Sequence, residues 1–471
     1  MGINQFWQVV AGAGEKTDLV EMSSRHYQSH GRPLRVTIDT PYWMFHNIDD
    51  KKVEEIRKKT PAAKLKERAV LNRIFWLRSR NIEIIFVFDG PKRGMKRGKE
   101  AKTLHPDKTI ILKEMLRHLG VPYHYAPAEA EAECSKLQKL GIVDAVWSGD
   151  SDAFMFGCTI LWKFYSDKRG NQSFKSNEAI EKYTSNRNIL SREGIVLFAL
   201  LSGCDYTPDI GVGLQGVGIQ KAFPIAKAAD ASGLARSMCD TFTANGNPIE
   251  MNKCKRARLR GQLFDMGHSS VKVPNTFSDP SIVSRCYKPI VSTDEVLKNL
   301  PCLRQGWSRS FEDDIPATWT FLLHHFYSNL PVTWPVKHLT ALEMNRELVF
   351  GNLGARIQQH WAGIKLKSKR KHDPCTTVSV QPLLLLCGLE ALGVADSDKE
   401  VEYRFLDCVL RQGLPADMFA PPSQANNKRK LDAVQNQQIR KKRASAPAAG
   451  AGEEERRGLE HLRRECGLPL T

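Results

Sequence analysis

The chain has 471 residues, enough for two or three domains, and a hydrophobic content of 41% allows at least one large core. Lys and Arg number 69 against 52 Asp and Glu, a formal charge of +17, so polyanions are the expected partners, nucleic acid ahead of an anionic membrane surface. The longest apolar run, Pro382–Val394, is too short to span a bilayer and carries Glu390. MGINQFWQVV lacks a secretory basic region and has Phe6 where a myristoylation signal has Ser or Thr. The 11 cysteines contain no CxxC pair, which argues against a zinc ribbon or disulfide framework and fits a reducing compartment.

In chain order, Arg35–Ile38 (RVTI), Ile82–Phe88 (IEIIFVF) and Ala145–Trp147 (AVW) read as short buried parallel strands. Helical stretches lie between them at Val53–Arg80 and Asp107–Leu119, and this alternation predicts a doubly wound α/β sheet. Pro127 then precedes AEAEAEC (Ala128–Cys134). Strict alternation suits a strand, but Ala and Glu are good helix formers and Pro fits a helix start, so Pro127–Leu140 is expected to be helical. From Ser191 to about Arg260 the pattern is helical around a glycine-rich turn, Thr207–Ala222. Its formal GxGxxG, Gly211–Gly216, is a weak dinucleotide signature because no strand precedes it. Lys253–Arg260 (KCKRARLR) holds five basic residues in eight. Residues 276–365 are mixed and rich in Trp and Pro, 376–418 suit a small strand-plus-helix module, and past Pro421 the composition is that of a disordered tail. There is no internal repeat.

The acids sit at the ends of the expected strands: Asp39 after RVTI, Asp89 after IFVF, Asp150 and Asp152 after AVW. Ligands of doubly wound sheets bind outside the carboxyl ends of the strands, so these four should converge. A single Asp at a strand end is more often a turn or cap residue, and glutamates early in a helix are more often dipole partners. Co-location is the stronger signal. Two carboxylates 4 Å apart repel by about 4 kcal/mol at an effective dielectric of 20, so a cluster of six or seven calls for cations. Oxygen donors without His or Cys favour Mg²⁺ or Mn²⁺. A basic chain with such a carboxylate pit points to a metal-dependent nuclease. On a regular helix Glu129 and Glu133 share a face, which favours that pair over Glu131.

MGINQFW at the start, FVFDG at 86–90, APAEAEAEC at 126–134, SGDSDAFMFG at 148–157 and LLSGCDY at 200–206 together resemble the flap-endonuclease/XPG superfamily of structure-specific 5′ nucleases, over roughly residues 1–260. The resemblance implies a PIN-like doubly wound nuclease core and a metal site of Asp39, Asp89, Glu129, Glu131, Asp150, Asp152 and Asp205, holding two Mg²⁺ that Mn²⁺ can replace. It pairs Glu129 with Glu131, against the helix-face reading, and leaves Glu133 a solvated bystander. It places Lys96, in PKRGMKRGKE, on the scissile phosphate, with Arg97 beside it and Lys102 as the next basic candidate. Gly2 would let DNA approach the acids. Thr207–Ala222 resembles a helix–two-turn–helix element gripping a DNA phosphate, often with K⁺, through Gly216, Gly218 and Lys221. Lys253, Lys255, Arg256, Arg258 and Arg260 would extend that contact without reading sequence.

Spacing selects a branch. About 39 residues separate Asp89 from Glu129, fewer than in the flap and exonuclease branches of the family, so the resemblance implies a short arch that leaves the site open to junctions with no free end. NQFWQVV, with Trp7, also resembles the Holliday junction resolvase branch, of fungal type. The tail contains no sliding-clamp peptide. The resemblance thus implies paired symmetric nicks in four-way junctions, cutting of 5′ flaps, a monomer that dimerises on the junction, and branched DNA as partner. The alternatives are a flap or repair endonuclease acting mainly on 5′ flaps, and a non-catalytic DNA-binding protein, whose sign would be a missing acid among the seven. Lys428–Lys430 and Arg440–Arg443 resemble a two-part nuclear import signal or a DNA-binding arm. The expected domains are a nuclease core at 1–190 with its arch at about 90–120, a helix–two-turn–helix region at 191–275, a core extension at 276–365, a chromodomain-like module at 366–420 and a disordered basic tail at 421–471.

Overall fold

Strands β1 (Glu15–Asp18), β2 (Leu34–Asp39), β3 (Ile82–Phe88), β4 (Tyr123–Tyr125), β5 (Ala145–Trp147), β6 (Ile160–Phe164) and β7 (Ala179–Thr184) form one sheet in the order β1-β7-β6-β5-β2-β3-β4. The computed structural model describes residues 2–3, 5–46, 50–59, 64–93, 106–164, 179–185, 190–207, 213–240, 248–277, 279–307, 315–326, 333–350, 364–367, 372–381 and 399–419. From β6 to β4 the strands run parallel, while β7 and β1 join antiparallel. The three runs legible as strands are its centre, β5-β2-β3, with Val36 opposite both Ile84 and Ala145 and Ile38 opposite both Phe86 and Trp147.

Helices cover both faces. On one, Val36, Ile38, Ile84, Phe86 and Trp147 pack under the helices Thr40–His46, Leu65–Ser79, Pro106–His118 and Ile315–Phe326. On the other, Ile85, Val87, Val146 and Leu161 pack against Ala130–Lys139, Arg192–Ser202 and Ile219–Ala231. The centre of the sheet is therefore buried on both sides, which is why β3 and β5 lack polar alternation.

Two expected helices change. Val53–Arg80 is divided into Asp50–Lys59 and Leu65–Ser79. Pro127–Leu140 starts later, at Ala130, with Glu129 as an extended N-cap residue (φ −92°, ψ 134°). The carbonyls of Pro127 and Ala128 accept from Lys92 N (3.0 Å) and Gly90 N (2.7 Å), which holds this segment out of the helix. Near the C-terminus β8 (Lys365–Leu366), β9 (Cys375–Val380) and β10 (Val401–Leu406) form an antiparallel sheet in the order β10-β9-β8, followed by the helix Asp407–Gly413. Its core is shared: Val378, Phe405 and Leu410 pack with Met344 and Leu348 and with Val20 and Tyr27 of the helix Leu19–His30. No described helix is long and apolar enough to cross a membrane.

Candidate active site

Parallel strands present all their carboxyl ends at one edge of a sheet. Asp39 closes β2, Asp89 follows β3, and Asp150 and Asp152 follow β5, so four acids leave three adjacent strands. The start of the helix Ala130–Lys139 meets them, because Ala130 N donates to Asp89 Oδ1 at 3.0 Å. Glu129 caps that helix and Glu131 lies in its first turn. Asp205 follows the helix Arg192–Ser202, and the next residue, Tyr206, donates its hydroxyl to Glu129. Asp39, Glu129, Glu131, Asp150, Asp152 and Asp205 are all buried, and Asp89 nearly so.

Neighbours hold four of the acids, Glu129 through Tyr206, and Asp39, Asp150 and Asp89 through groups beside them. Ser148 Oγ donates to Asp39 Oδ2 at 2.5 Å and accepts from Asp150 N at 3.0 Å, and Tyr42 N reaches Asp39 Oδ1 at 3.3 Å. Asp150 Oδ1 accepts from Asp152 N at 3.0 Å. Arg93 Nη1 lies 2.6 Å from Asp89 Oδ2. Burial, then the charge of Glu131 and more weakly of Asp89 and Asp150, push the Asp39 carboxyl well above the usual carboxylate range, against the Ser148 hydrogen bond. Burial and the charges of Glu129, Asp152 and Glu131 push the Tyr206 phenol up as well, so it stays a donor. This mutual repulsion is what a divalent cation relieves, and the donor set is oxygen only: the nearby Cys134 thiol is raised by burial and donated to by Thr37 Oγ1 at 3.1 Å. The residues thus fit Mg²⁺ in chemistry, although among the described residues no three of them close into a ready-made metal cage.

Gly2 lies directly on the acids. A Cβ there would sit 2.2 Å from Asp150 Oδ1 and 2.7 Å from Asp152 Oδ1, and its φ of +84° disfavours any side chain. Ile3 N donates to Ser151 Oγ at 3.0 Å and Trp7 Nε1 to the Gly149 carbonyl at 3.2 Å, pinning the N-terminal segment to the loop after β5.

Glu133 corrects the sequence reading. It is fully buried, not solvated. His124 Nε2 lies 2.8 Å from its Oε1, and Ser292 N donates to its Oε2 at 2.9 Å. It points to β4 and the segment around Ser292, so the helix-face pairing of Glu129 with Glu133 in one site does not form.

Lys96, Arg97 and Lys102 lie outside the described residues, as do Gly211 and Val212 and everything beyond Phe419. The helices Arg192–Ser202 and Ile219–Ala231 flank the glycine turn. Gly216 (φ +80°) and Gly218 are exposed there with open space around them, and Lys221 Nζ donates to the Gly216 carbonyl at 3.3 Å. Within the helix Pro248–Asp265, Lys253, Arg258 and Arg260 face outward. Lys255 is buried and Arg256 half-buried, contrary to the expectation that the whole run faces DNA. Helical periodicity explains the correction, since Asn252, Lys255, Leu259 and Leu263 share the inward face. Burial lowers the Lys255 pKa despite the opposing charges of Asp240 and Cys239.

Ser148, Arg93 and Tyr206 were not singled out from sequence. Ser148 and Tyr206 lie inside the quoted stretches SGDSDAFMFG and LLSGCDY, and Arg93 is a basic residue four positions after Asp89, so each carried a local signal.

Residues 120–205 match the XPG I-region family. The chain is 25% identical over 248 residues to Flap endonuclease GEN homolog 1 of Mus musculus, covering 48% of this chain and 25% of the mouse protein. It is 28% identical over 237 residues to Flap endonuclease 1 of Methanocaldococcus jannaschii, covering 50% of this chain and 64% of the archaeal one. The chain thus spans less than two thirds of either relative. Its fold resembles that of the Holliday junction-resolving enzyme GEN1 solved with product DNA and a Mg²⁺ ion, at a TM-score of 0.67 and 25% identity over 88% of this chain and 97% of that one. A eukaryotic junction-resolving enzyme GEN-1 solved with potassium matches at a TM-score of 0.68 and 25% identity, over 88% and 97% of the two chains.

Proposed function

We propose, for a chain that belongs to the junction-resolving branch of the flap-endonuclease/XPG superfamily, that it is a metal-dependent structure-specific DNA endonuclease which resolves four-way junctions by paired nicks and also cuts 5′ flaps. The observation that supports this reading most is the convergence of Asp39, Asp89 and Asp150 from three adjacent strand ends on the start of the helix bearing Glu129 and Glu131. Those five, with Asp152 and Asp205, are the residues that would hold Mg²⁺. Bound there, the metal supplies Lewis-acid stabilisation of the attacking and leaving oxygens of a phosphodiester.

The chain's own groups prepare that site. Ser148 and Tyr206 orient Asp39 and Glu129. Arg93 holds Asp89 and adds positive charge where a phosphate must enter. Gly2 keeps side-chain bulk away from Asp150. Lys96 is proposed, from the family resemblance, to contact the scissile phosphate. Gly216, Gly218, Lys221, Lys253, Arg258 and Arg260 are proposed to hold the duplex backbone at a distance from the acids, with K⁺ at the glycine turn. Dimerisation on the junction, a nuclear location and the domain division at 190, 275, 365 and 420 belong to the same proposal.

The test compares cutting of a closed-arm four-way junction with cutting of a 5′ flap in Mg²⁺, with an Asp39→Asn, Asp150→Asn double variant as the blank. Symmetric nicks near the crossover, absent in the blank, are expected. Cutting of the flap alone would assign the chain to the flap or repair branch, and equal cutting by the blank would remove the carboxylate site from the reaction.

A further inference from the structure

Among the described residues strand β4 is an open edge of the nuclease sheet, and its three residues Tyr123, His124 and Tyr125 alternate between two environments. His124 points to the Glu133 side, where Glu133 and Ser292 fix it. Tyr123 and Tyr125 point the other way and are large exposed aromatics, 39% and 47% accessible. Two cations accompany them on the helix Pro106–His118: Lys113 Nζ lies 5.4 Å from the Tyr125 ring centre and 5.9 Å from that of Phe88, and Arg117 is exposed one turn further on. Tyr123 and Arg117 both line a cleft of about 370 Å³ that continues along the edge to Pro301 and Trp307.

The two repeats match. Residues i and i+4 on a helix lie about 6 Å apart, and residues i and i+2 on a strand about 6.6 Å apart. An extended nucleic-acid strand presents its successive bases and phosphates at a comparable step. The row begins at the acids, because Ala126 N, next to Tyr125, donates to the carbonyl of Phe88, the residue before Asp89, at 2.9 Å. An aromatic face offers stacking to any base and a cation beside it takes the phosphate, the pattern of sequence-tolerant single-strand binding. Strand addition by a peptide is disfavoured, since three residues offer too short a template.

We propose that Tyr125 with Lys113, and Tyr123 with Arg117, form a track that holds the unpaired DNA strand leaving the acid site. The inference rests on the nuclease reading for its substrate, but its test is separable from cutting. Binding of the full chain to 5′-flap DNA is measured in Ca²⁺ by fluorescence anisotropy, with flap nucleotides that are either thymidine or abasic. The wild-type chain is expected to bind the thymidine flap about tenfold more tightly than the abasic one. A Tyr123→Leu, Tyr125→Leu variant should lose that discrimination while binding a four-way junction without unpaired nucleotides as before. A Lys113→Ala, Arg117→Ala variant, which changes only the helix face, should lower the salt dependence of flap binding by about two phosphate contacts. Equal wild-type affinity for the two flaps, or retained discrimination in the double leucine variant, would overturn the track. If Mg²⁺ cutting failed on every substrate while the Ca²⁺ discrimination stood, the nuclease reading would fall and the track would remain.

Discussion

Glu133 shows how much one buried carboxylate can organise. It sits on the same helix as Glu129 and Glu131, yet both its oxygens are turned to other elements: to His124 on the sheet edge and to the Ser292 amide. Removing a buried acceptor leaves its donors unsatisfied, at about 1–3 kcal/mol each, whereas an isosteric amide retains an acceptor oxygen. Glu133→Leu is therefore expected to destabilise the chain by about 2–4 kcal/mol and to speed hydrogen exchange at the Ser292 amide. Glu133→Gln should retain most of that amide's protection. Urea midpoints and exchange rates measure both; a leucine variant as stable and as protected as wild type would mean that Glu133 does not tether these segments. Sequence could not reveal this role. AEAEAEC gives the three glutamates equivalent local contexts, and what separates Glu133 is Ser292, 159 positions away.

Elements were legible in proportion to how much of their stability is local. β3 (IEIIFVF) and β5 (AVW) are almost wholly apolar and β2 (LRVTID) carries the β-branched run Val36-Thr37-Ile38, because both faces of the sheet are covered there, so they stood out. β4 (YHY) and β1 (EKTD) carry no buried apolar run and exist through pairing with β3 and β7, partners that a local pattern does not contain. The same non-locality joins the helix Thr333–Phe350 to the helix Leu65–Ser79. His338 stacks on Phe75 at 4.9 Å and lies tilted against Trp334 at 4.0 Å, and burial, with a smaller push from Lys337, lowers its pKa to about 3. The ordinary imidazole value of 6.5 holds in the unfolded chain, so between these values the unfolded state binds the extra proton. Stability from this contact is full above pH 6.5 and is lost as pH falls toward the folded value, at up to about 1.4 kcal/mol per pH unit. A His338→Phe variant should flatten that part of the profile between about pH 6.5 and 4. An unchanged slope in urea denaturation across that range would show that the acid sensitivity lies elsewhere.

At the scale of the whole molecule, the charge of +17 favours a polyanion as partner but does not say which surface would meet it. The fold divides the basic residues by direction. Five basic residues in the run Lys253–Arg260 look equivalent in sequence, but the helix turns Lys255 inward with Asn252 and Leu259 while Lys253, Arg258 and Arg260 stay at the surface. Lys221 lies exposed at the glycine turn of the neighbouring helix pair. Each exposed cation that neutralises a phosphate releases counterions, so it contributes about 0.9 to the slope of log affinity against log salt. Lys221→Ala with Lys253→Ala should therefore reduce that slope for a four-way junction by about 1.8, and weaken duplex and junction alike because phosphate contacts carry no sequence information. Lys255→Met should leave the slope where it is. If instead Lys255→Met lowered the slope as much as the surface pair, the basic run would be meeting DNA with its other face, and the helix would have to rotate on binding.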